Sequence, residues 1–197
     1  MYQDNEKYRF WLNLAQGTAI FEIVFAVLRW TRNSPATVIP QVLSRLFVLW
    51  LVFPQMLSAK SEQNWWVAKE WPILPACVLA WAITEVFRFS YYTFTGLQSG
   101  FLGHARYNLF IVLYPLGVSA ELLCMWSGRH AVLGMAQSDR PFSLIMPNSL
   151  NFEWKYEWMA PLMYLIYVFG FPQLYFYMLA QRKKFYAPQP KNEKKTK

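Results

Sequence analysis

Five long apolar stretches alternate with short polar segments along the chain. They cover residues 10–28, 38–56, 71–89, 107–126 and 158–179. A helix needs roughly 20 predominantly apolar residues to cross the hydrocarbon core of a bilayer. A helix also satisfies its own backbone hydrogen bonds in lipid, which an isolated strand cannot do. The pattern therefore predicts an all-α fold, a polytopic membrane helix bundle with five transmembrane helices.

The composition agrees with a membrane protein and adds one detail. Hydrophobic residues make up 55% of the 197 residues and charged residues 15%, against about 45–50% and 25% in a soluble domain. The mean hydropathy is nevertheless only +0.14. The apolar stretches must therefore contain polar residues of their own.

The net charge of +8 is concentrated at the C-terminus, where residues 182–197 carry seven Lys or Arg and one acid. A short basic segment beside an apolar helix is typical of the cytosolic side of a membrane protein. We therefore divide the chain into a membrane bundle, residues 1–181, and a basic cytosolic tail, residues 182–197. The charge is too local for a nucleic-acid-binding face, and we expect no nucleic acid partner.

The connections between the stretches predict the same orientation. Segments 29–36 and 88–106 hold basic residues and no acid, so we place them on the cytosolic side with the tail. The last four residues, 194–197, read KKTK. Lysines at these positions of a cytosolic C-terminus resemble a dilysine retrieval signal and predict the endoplasmic reticulum membrane. The alternative is a plain solvated basic tail.

Ionisable residues inside the apolar stretches are candidate functional residues, because each costs at least about 2.5–3.5 kcal/mol to insert at mid-membrane. Tyr114 and Glu121 stand out because they are seven residues apart on one helix. Two helical turns place them on one face, about 10.5 Å apart along the axis. A carboxyl and a phenol together are suited to acid–base chemistry. The alternative is that Glu121 pairs with Arg45 or Arg88 and only holds helices together.

Several segments then resemble the motifs of a known family, in the same order along the chain. They are residues 41–45 (QVLSR), 81–88 (WAITEVFR) with 92–94 (YTF), 106–123 (RYNLFIVLYPLGVSAELL), 147–148 (PN) and 171–175 (FPQLY). This set resembles the very-long-chain (3R)-3-hydroxyacyl-CoA dehydratases, once called protein-tyrosine-phosphatase-like proteins. The resemblance runs from about residue 16 to residue 184. It implies a six-span fold, so we expect that an N-terminal first span is absent here.

The resemblance implies the third step of very-long-chain fatty acid elongation, the loss of water from a (3R)-3-hydroxyacyl-CoA to give the trans-2-enoyl-CoA. The family's catalytic pair corresponds to Tyr114 and Glu121. We expect Glu121 to take the C2 proton and Tyr114 to donate to the leaving hydroxyl, with the reverse assignment left open. The reaction needs no metal or cofactor. The expected partners are the long-chain substrate, the lipid bilayer and other elongation enzymes, namely a condensing enzyme and reductases.

Seven further residues are candidates for substrate binding or support. Arg106 borders the catalytic helix and is expected to meet the phosphates of CoA. The other candidates are Gln41 and Arg45, which orient Glu121 or bind near the thioester; Glu85 and Arg88, which pair with each other; and Tyr92 and Gln173, which line the pocket wall. Two other functions stay open at this point, a non-catalytic scaffold of the elongation complex and a proton-coupled transporter.

The older phosphatase label fails on its own chemistry. That reaction needs a cysteine followed six positions later by an arginine, but His130 stands six residues after Cys124. Cys77 and Cys124 both lie in apolar stretches and are interpreted as small buried hydrophobic residues. His104 and His130 stand alone, so the sequence predicts no metal site.

Overall fold

The computed structural model describes residues 6–31, 34–58, 73–94 and 100–187. The helices within these ranges are α1 (Glu6–Gly17), α2 (Ile20–Val27), α3 (Pro35–Phe47), a π-helical segment (Val48–Val52), α4 (Phe53–Ser58), α5 (Ile73–Thr93), α6 (Phe101–Leu133) and α7 (Met159–Tyr186). Two single-turn 3₁₀ helices, Gln137–Asp139 and Tyr156–Trp158, lie in the connection between α6 and α7.

The structure confirms the predicted all-α membrane fold. Five helical stretches are long and apolar enough to cross a bilayer, at Phe10–Val27, Pro35–Gln55, Ile73–Thr93, Phe101–Leu133 and Tyr156–Tyr186. Each contains most of one predicted stretch. The first and second are not single helices, however, because α1 and α2 are separated at residues 18–19 and a π segment joins α3 to α4.

The break between α1 and α2 has a local cause. The Thr18 hydroxyl donates a 2.7 Å hydrogen bond to the Ala15 carbonyl, and a side chain that bonds to the preceding turn competes with the helical backbone pattern. Gly17 ends α1 at the same place, and glycine is a weak helix former.

The π segment is held by a residue far along the chain. In a π turn each amide bonds five residues back instead of four, which changes the direction of the neighbouring side chains. The Tyr156 hydroxyl donates a 2.8 Å hydrogen bond to the Leu51 carbonyl in this segment. The connection before α7 is thereby attached to the second span.

The extent of α6 differs from that of the predicted apolar stretch 107–126, after which the turn-forming residues Ser127 and Gly128 predict a loop over residues 127–157. The helix continues through Ser127 and Gly128 to Leu133, and both residues are buried. A Cβ atom added to Gly128 would lie only 2.9 Å from Cγ1 of Val52. Gly128 is therefore a close-packing position between α6 and the π segment, and not the start of a turn.

The core lies around α6, which packs against α5, α7 and α4. Its buried side chains come from several spans, among them Leu49, Phe53, Cys77, Trp81, Cys124 and Met125. Near the C-terminal end of α7, the Arg182 guanidinium and the Tyr186 hydroxyl both form hydrogen bonds with the Asn108 side chain. The end of α7 is therefore attached to the start of α6. The predicted retrieval signal at 194–197 lies outside the described residues.

Candidate active site

A cavity of about 660 Å³ lies between α3, α5, α6 and α7. Most of its lining is apolar, as expected for a small-molecule site in which a few polar groups fix the orientation of the ligand. The polar groups on its wall include Gln41, Arg45, Arg88, Arg106, Tyr114 and Glu121. Six of the nine candidate residues therefore line one cavity, although they come from three different helices.

Glu121 is the buried acid of this cavity, with 6% of its surface exposed. Trp81 on α5 donates a 2.7 Å hydrogen bond from Nε1 to Glu121 Oε1. The Tyr167 hydroxyl on α7 donates to the other oxygen, Oε2. Both oxygens of the carboxyl group therefore have a neutral donor. Such bonds reduce the cost of burying the group, since unpaired buried polar atoms are strongly unfavourable.

The alternative in which Glu121 pairs with Arg45 or Arg88 is wrong. Among the residues that the structure describes, no ion pair includes Glu121. The two arginines instead share a chain of ion pairs with two other acids. Glu85 pairs with both Arg45 and Arg88. Arg88 also pairs with Glu22 on α2, with 2.6 Å between its Nη2 atom and Glu22 Oε1. The expected Glu85–Arg88 pair is therefore present, and it belongs to a four-residue network that joins α2, α3 and α5.

Tyr114 lies on the cavity wall within a stack of aromatic rings. Its ring is 5.2 Å from that of Phe171 at an interplanar angle of 12°, and 6.2 Å from that of Tyr175 at 18°. Both partners belong to α7. Gln41 on α3 is within hydrogen-bonding reach of the Tyr114 hydroxyl. The stack fixes the plane of the phenol, and its hydroxyl stays at the cavity.

Gly117 lies between Tyr114 and Glu121 on the same helix and also lines the cavity. A Cβ atom added to it would lie 3.9 Å from Cβ of Ala80 on α5. The two helices therefore approach closely beside the site. Small residues commonly allow such an approach between membrane helices, and here the absent side chain leaves space between the phenol and the carboxylate.

Arg106 lies near the start of α6, about 12 Å along the helix axis from Tyr114 at 1.5 Å per residue. Its guanidinium lies over the rings of Tyr91 and Tyr92, at 4.9 and 4.8 Å from their centroids. It also donates a 3.1 Å hydrogen bond to the Tyr92 hydroxyl. No acid pairs with it among the described residues, and its buried Nε atom has no hydrogen-bond partner there. Arg106 therefore presents a cation at one end of the cavity.

Three supporting candidates do not line the cavity. Gln173 is exposed, because the cavity face of α7 is formed by residues spaced three and four apart, such as Tyr167, Gly170 and Leu174, and position 173 falls outside that stripe. Tyr92 is 43% exposed and is not part of the lining, although it contacts Arg106, which is. Glu85 is not part of the lining either, but it pairs with Arg45 and Arg88, which are. The expectation that Tyr92 and Gln173 form the pocket wall is therefore wrong.

Trp81 and Tyr167 are the contacts that sequence reasoning missed. Each is an aromatic residue in an apolar helix rich in aromatic residues, so nothing in the local pattern separates it from a lipid-facing ring. Their contacts with Glu121 span 40 and 46 residues of sequence. Trp81 does belong to a motif that carries the family resemblance.

The position of Cys124 also excludes a phosphatase site built on this cysteine. It lies inside α6, it has no exposed surface, and it does not line the cavity. A nucleophilic cysteine must be ionised and accessible to its substrate. Cys124 instead packs in the apolar core, as does Cys77.

Comparison with known proteins identifies the family. Residues 16–188 match the family described as "Protein tyrosine phosphatase-like protein, PTPLA". A very-long-chain (3R)-3-hydroxyacyl-CoA dehydratase of Caenorhabditis elegans, hpo-8, is 36% identical over 182 residues, which cover 91% of this chain and 78% of the relative. The human very-long-chain (3R)-3-hydroxyacyl-CoA dehydratase 2 is 35% identical over 93% of this chain and 68% of its own length.

The similarity extends to plants. The Arabidopsis thaliana very-long-chain (3R)-3-hydroxyacyl-CoA dehydratase PASTICCINO 2 is 31% identical over 88% of this chain and 74% of its own length. No solved structure matches the chain. From the family match over most of its length, the chain belongs to the protein tyrosine phosphatase-like PTPLA family, as the sequence motifs predicted.

Proposed function

We propose that this protein catalyses the dehydration of a long-chain (3R)-3-hydroxyacyl-CoA to the trans-2-enoyl-CoA. The observation that carries the proposal is the buried Glu121, which shares the wall of a mostly apolar cavity with the Tyr114 hydroxyl. A buried acid in a membrane helix is costly and is retained chiefly where it has a function. The names of the relatives supply the substrate class.

Glu121 acts as the base in this proposal and Tyr114 as the acid. An ionised carboxylate only accepts hydrogen bonds, and each oxygen can accept about two. Trp81 and Tyr167 each donate a hydrogen bond to a different carboxylate oxygen of Glu121. These bonds support the ionised form of Glu121, and each of its oxygens keeps a lone pair that can accept a proton. Tyr114 is held by its ring stack so that its hydroxyl can donate to the substrate. These contacts favour Glu121 as the base over the reverse assignment.

The proton transfers balance across the reaction. Glu121 takes the proton from C2, and the electron pair of that C–H bond forms the C2–C3 double bond. The C3–O bond breaks, and the leaving oxygen takes the Tyr114 proton and departs as water. Glu121 is then protonated and Tyr114 is a phenolate, so one proton must return from the acid to the phenolate before the next turnover. Acid–base assistance of this kind contributes roughly 10²–10⁴-fold to a rate.

The cavity and its charges suit an acyl-CoA. The apolar walls formed by α3, α6 and α7 can hold the acyl chain between the helices. Arg106 lies at the end of the cavity nearer to the start of α6, where it can bind the phosphates of CoA. The basic connections and tail support placing this end on the cytosolic side of the endoplasmic reticulum membrane. There the 3-hydroxyacyl-CoA would be received from a reductase of the elongation system, which acts on the product of a condensing enzyme.

The test is turnover by the purified full chain in detergent. The protein is given a long-chain (3R)-3-hydroxyacyl-CoA, and in parallel the (3S) enantiomer, and the products are identified by mass spectrometry. The proposal predicts trans-2-enoyl-CoA from the (3R) substrate at a rate at least tenfold above that from the (3S) substrate. A well-folded protein that converts neither would contradict it and would favour the non-catalytic scaffold.

A further inference from the structure

We infer that Tyr167 and Trp81 are positioning residues for Glu121, and that together they hold its carboxylate in the orientation that proton abstraction needs. The inference rests on the proposed dehydration and extends it to two side chains that do not take part in the bond changes. It depends on contacts of α5 and α7 with α6, three separate spans of the bundle.

The two donors fix the carboxylate at two points. Trp81 bonds to Oε1 from α5, and Tyr167 bonds to Oε2 from α7. A glutamate side chain has three rotatable torsions, and the last one, which turns the carboxylate plane, has a broad preference of its own. One donor on each oxygen removes that freedom. The carboxylate is therefore oriented before a substrate enters.

The donors are themselves held in place. Trp81 is 3% exposed, and its ring lies 6.0 Å from that of Phe53 at an interplanar angle of 18°. Tyr167 packs against the same core cluster and has Ser44 of α3 near its hydroxyl. A support of this kind is rigid because its own side chains are locked by packing, which is the usual requirement for a precise site.

Neutral donors suit a base better than a cation would. An arginine on Glu121 would stabilise the carboxylate strongly and reduce its tendency to take a proton. Arg45 and Arg88 lie on the same cavity wall, yet both are paired with Glu85. The indole and the phenol satisfy the buried carboxylate without neutralising its charge. The role that we assign to them is therefore distinct from simple packing.

The expected consequence is a change in kcat without a matching change in KM. A displacement of about 1 Å at a catalytic group can cost roughly 10²-fold in rate. The proposal assigns binding of the charged CoA group to Arg106 and not to either donor, so removing a donor should leave that binding unaffected. Tyr167→Phe removes one hydroxyl and keeps the ring. Trp81→Phe removes the Nε1–H group and provides a second, independent variant.

Tyr164 is a matched control on the same helix. It is also half-buried, and its hydroxyl donates a 3.1 Å hydrogen bond to α6, but to the Leu122 carbonyl and not to Glu121. Tyr164→Phe therefore removes the same group and one hydrogen bond between the same two helices. It does not line the cavity. Its apparent Tm should fall no further than that of Tyr167→Phe, whose lost hydrogen bond goes to a buried carboxylate, while its kcat should stay within twofold of the parent.

The experiment measures kcat, KM and the apparent Tm of the parent, Tyr167→Phe, Trp81→Phe and Tyr164→Phe with a long-chain (3R)-3-hydroxyacyl-CoA. We expect kcat to fall at least tenfold in Tyr167→Phe and Trp81→Phe, with KM within twofold of the parent. A kcat within twofold of the parent in either folded variant would overturn the inference, as would an equal loss in Tyr164→Phe. If the folded parent itself has no activity, the proposed function fails first, and the inference fails with it.

Discussion

Arg45 and Glu121 line the same cavity, yet the Arg45 guanidinium forms its ion pair with Glu85 on α5. Among the described residues, no ion pair joins Arg45 to the buried carboxylate of the site. The pairing also gives the arginines a structural task, because Glu85 and Glu22 compensate the charges of Arg45 and Arg88. These two arginines and two acids are therefore neutral as a group, and the hydrogen bonds to the Glu121 carboxylate come from two neutral donors, Trp81 and Tyr167.

Glu85→Gln tests the structural task of this network. The substitution leaves Arg45 without its ion-pair partner at a site where both side chains are less than 20% exposed. Removing one partner of a partly buried pair should cost about 1–3 kcal/mol, so the apparent Tm in detergent should fall by several degrees. The control is Glu153→Gln, which breaks the more accessible Glu153–Lys155 pair, whose side chains are 38% and 29% exposed, and should cost less than about 1 kcal/mol. Equal shifts in Tm would show that the network does not stabilise the bundle.

Arg106→Ala tests the cation at the end of the cavity. Hydrogen bonds to charged groups contribute roughly 1.5–3 kcal/mol, so KM for the CoA substrate should rise about ten- to a hundredfold. The corresponding pantetheine thioester, which lacks the nucleotide phosphates, should be affected less than twofold. Arg129→Ala is the control, since it lies 23 residues further along α6 and about 34 Å away along the axis. An equal rise in KM for both substrates would argue against phosphate binding.

Gly170→Leu tests whether the acyl chain occupies the cavity. Gly170 lines the cavity, and a Cβ atom added there would meet nothing within 4 Å. A leucine side chain should therefore occupy space that a long acyl chain needs, and kcat/KM for a long-chain substrate should fall at least tenfold relative to a short-chain one. Gly170→Ala is the size control and should change this ratio less than threefold. An unchanged chain-length preference in Gly170→Leu would place the acyl chain elsewhere.

Gly128→Ala tests the close approach of α6 to the π segment. The new methyl group would lie 2.9 Å from Val52 Cγ1. Overpacking of this kind costs about 1–3 kcal/mol, which exceeds the gain of up to about 1 kcal/mol from replacing glycine in a helix. The apparent Tm should therefore fall. Gly117→Ala, whose methyl group would make an ordinary 3.9 Å contact, should leave Tm unchanged or raise it. A stabilised Gly128→Ala variant would contradict the packing that we describe.

The spans were predictable from the sequence because the length of an apolar stretch is a local property. The end of α6 was not, since Ser127 and Gly128 have the composition of a turn but are buried in helix by contacts with the second span. Tertiary packing commonly overrides local propensity in this way. The break at residue 18 and the π segment similarly depend on hydrogen bonds that a hydropathy pattern does not contain.

The candidate site was likewise predictable only where its geometry depends on a single helix. Tyr114 and Glu121 were found because a single helix fixes their spacing. The partners of Glu121 depend on how α5 and α7 are rotated against α6, which the sequence does not specify locally. For that reason the prediction considered the arginines as partners and missed Trp81 and Tyr167. Gln173 was misplaced because the cavity face of α7 is defined only by its neighbours.

The roles of Glu121 and Tyr114 are tested by the turnover of a long-chain (3R)-3-hydroxyacyl-CoA by the parent beside Glu121→Gln and Tyr114→Phe. Each substitution keeps the size of the side chain and removes only the group that transfers a proton. Glu153→Gln and Tyr177→Phe are controls at a partly exposed acid and an exposed phenol, neither of which lines the cavity. We expect an active parent, active controls and a loss of at least about 10²-fold in both site variants. Activity within tenfold of the parent in folded Glu121→Gln would contradict this expectation.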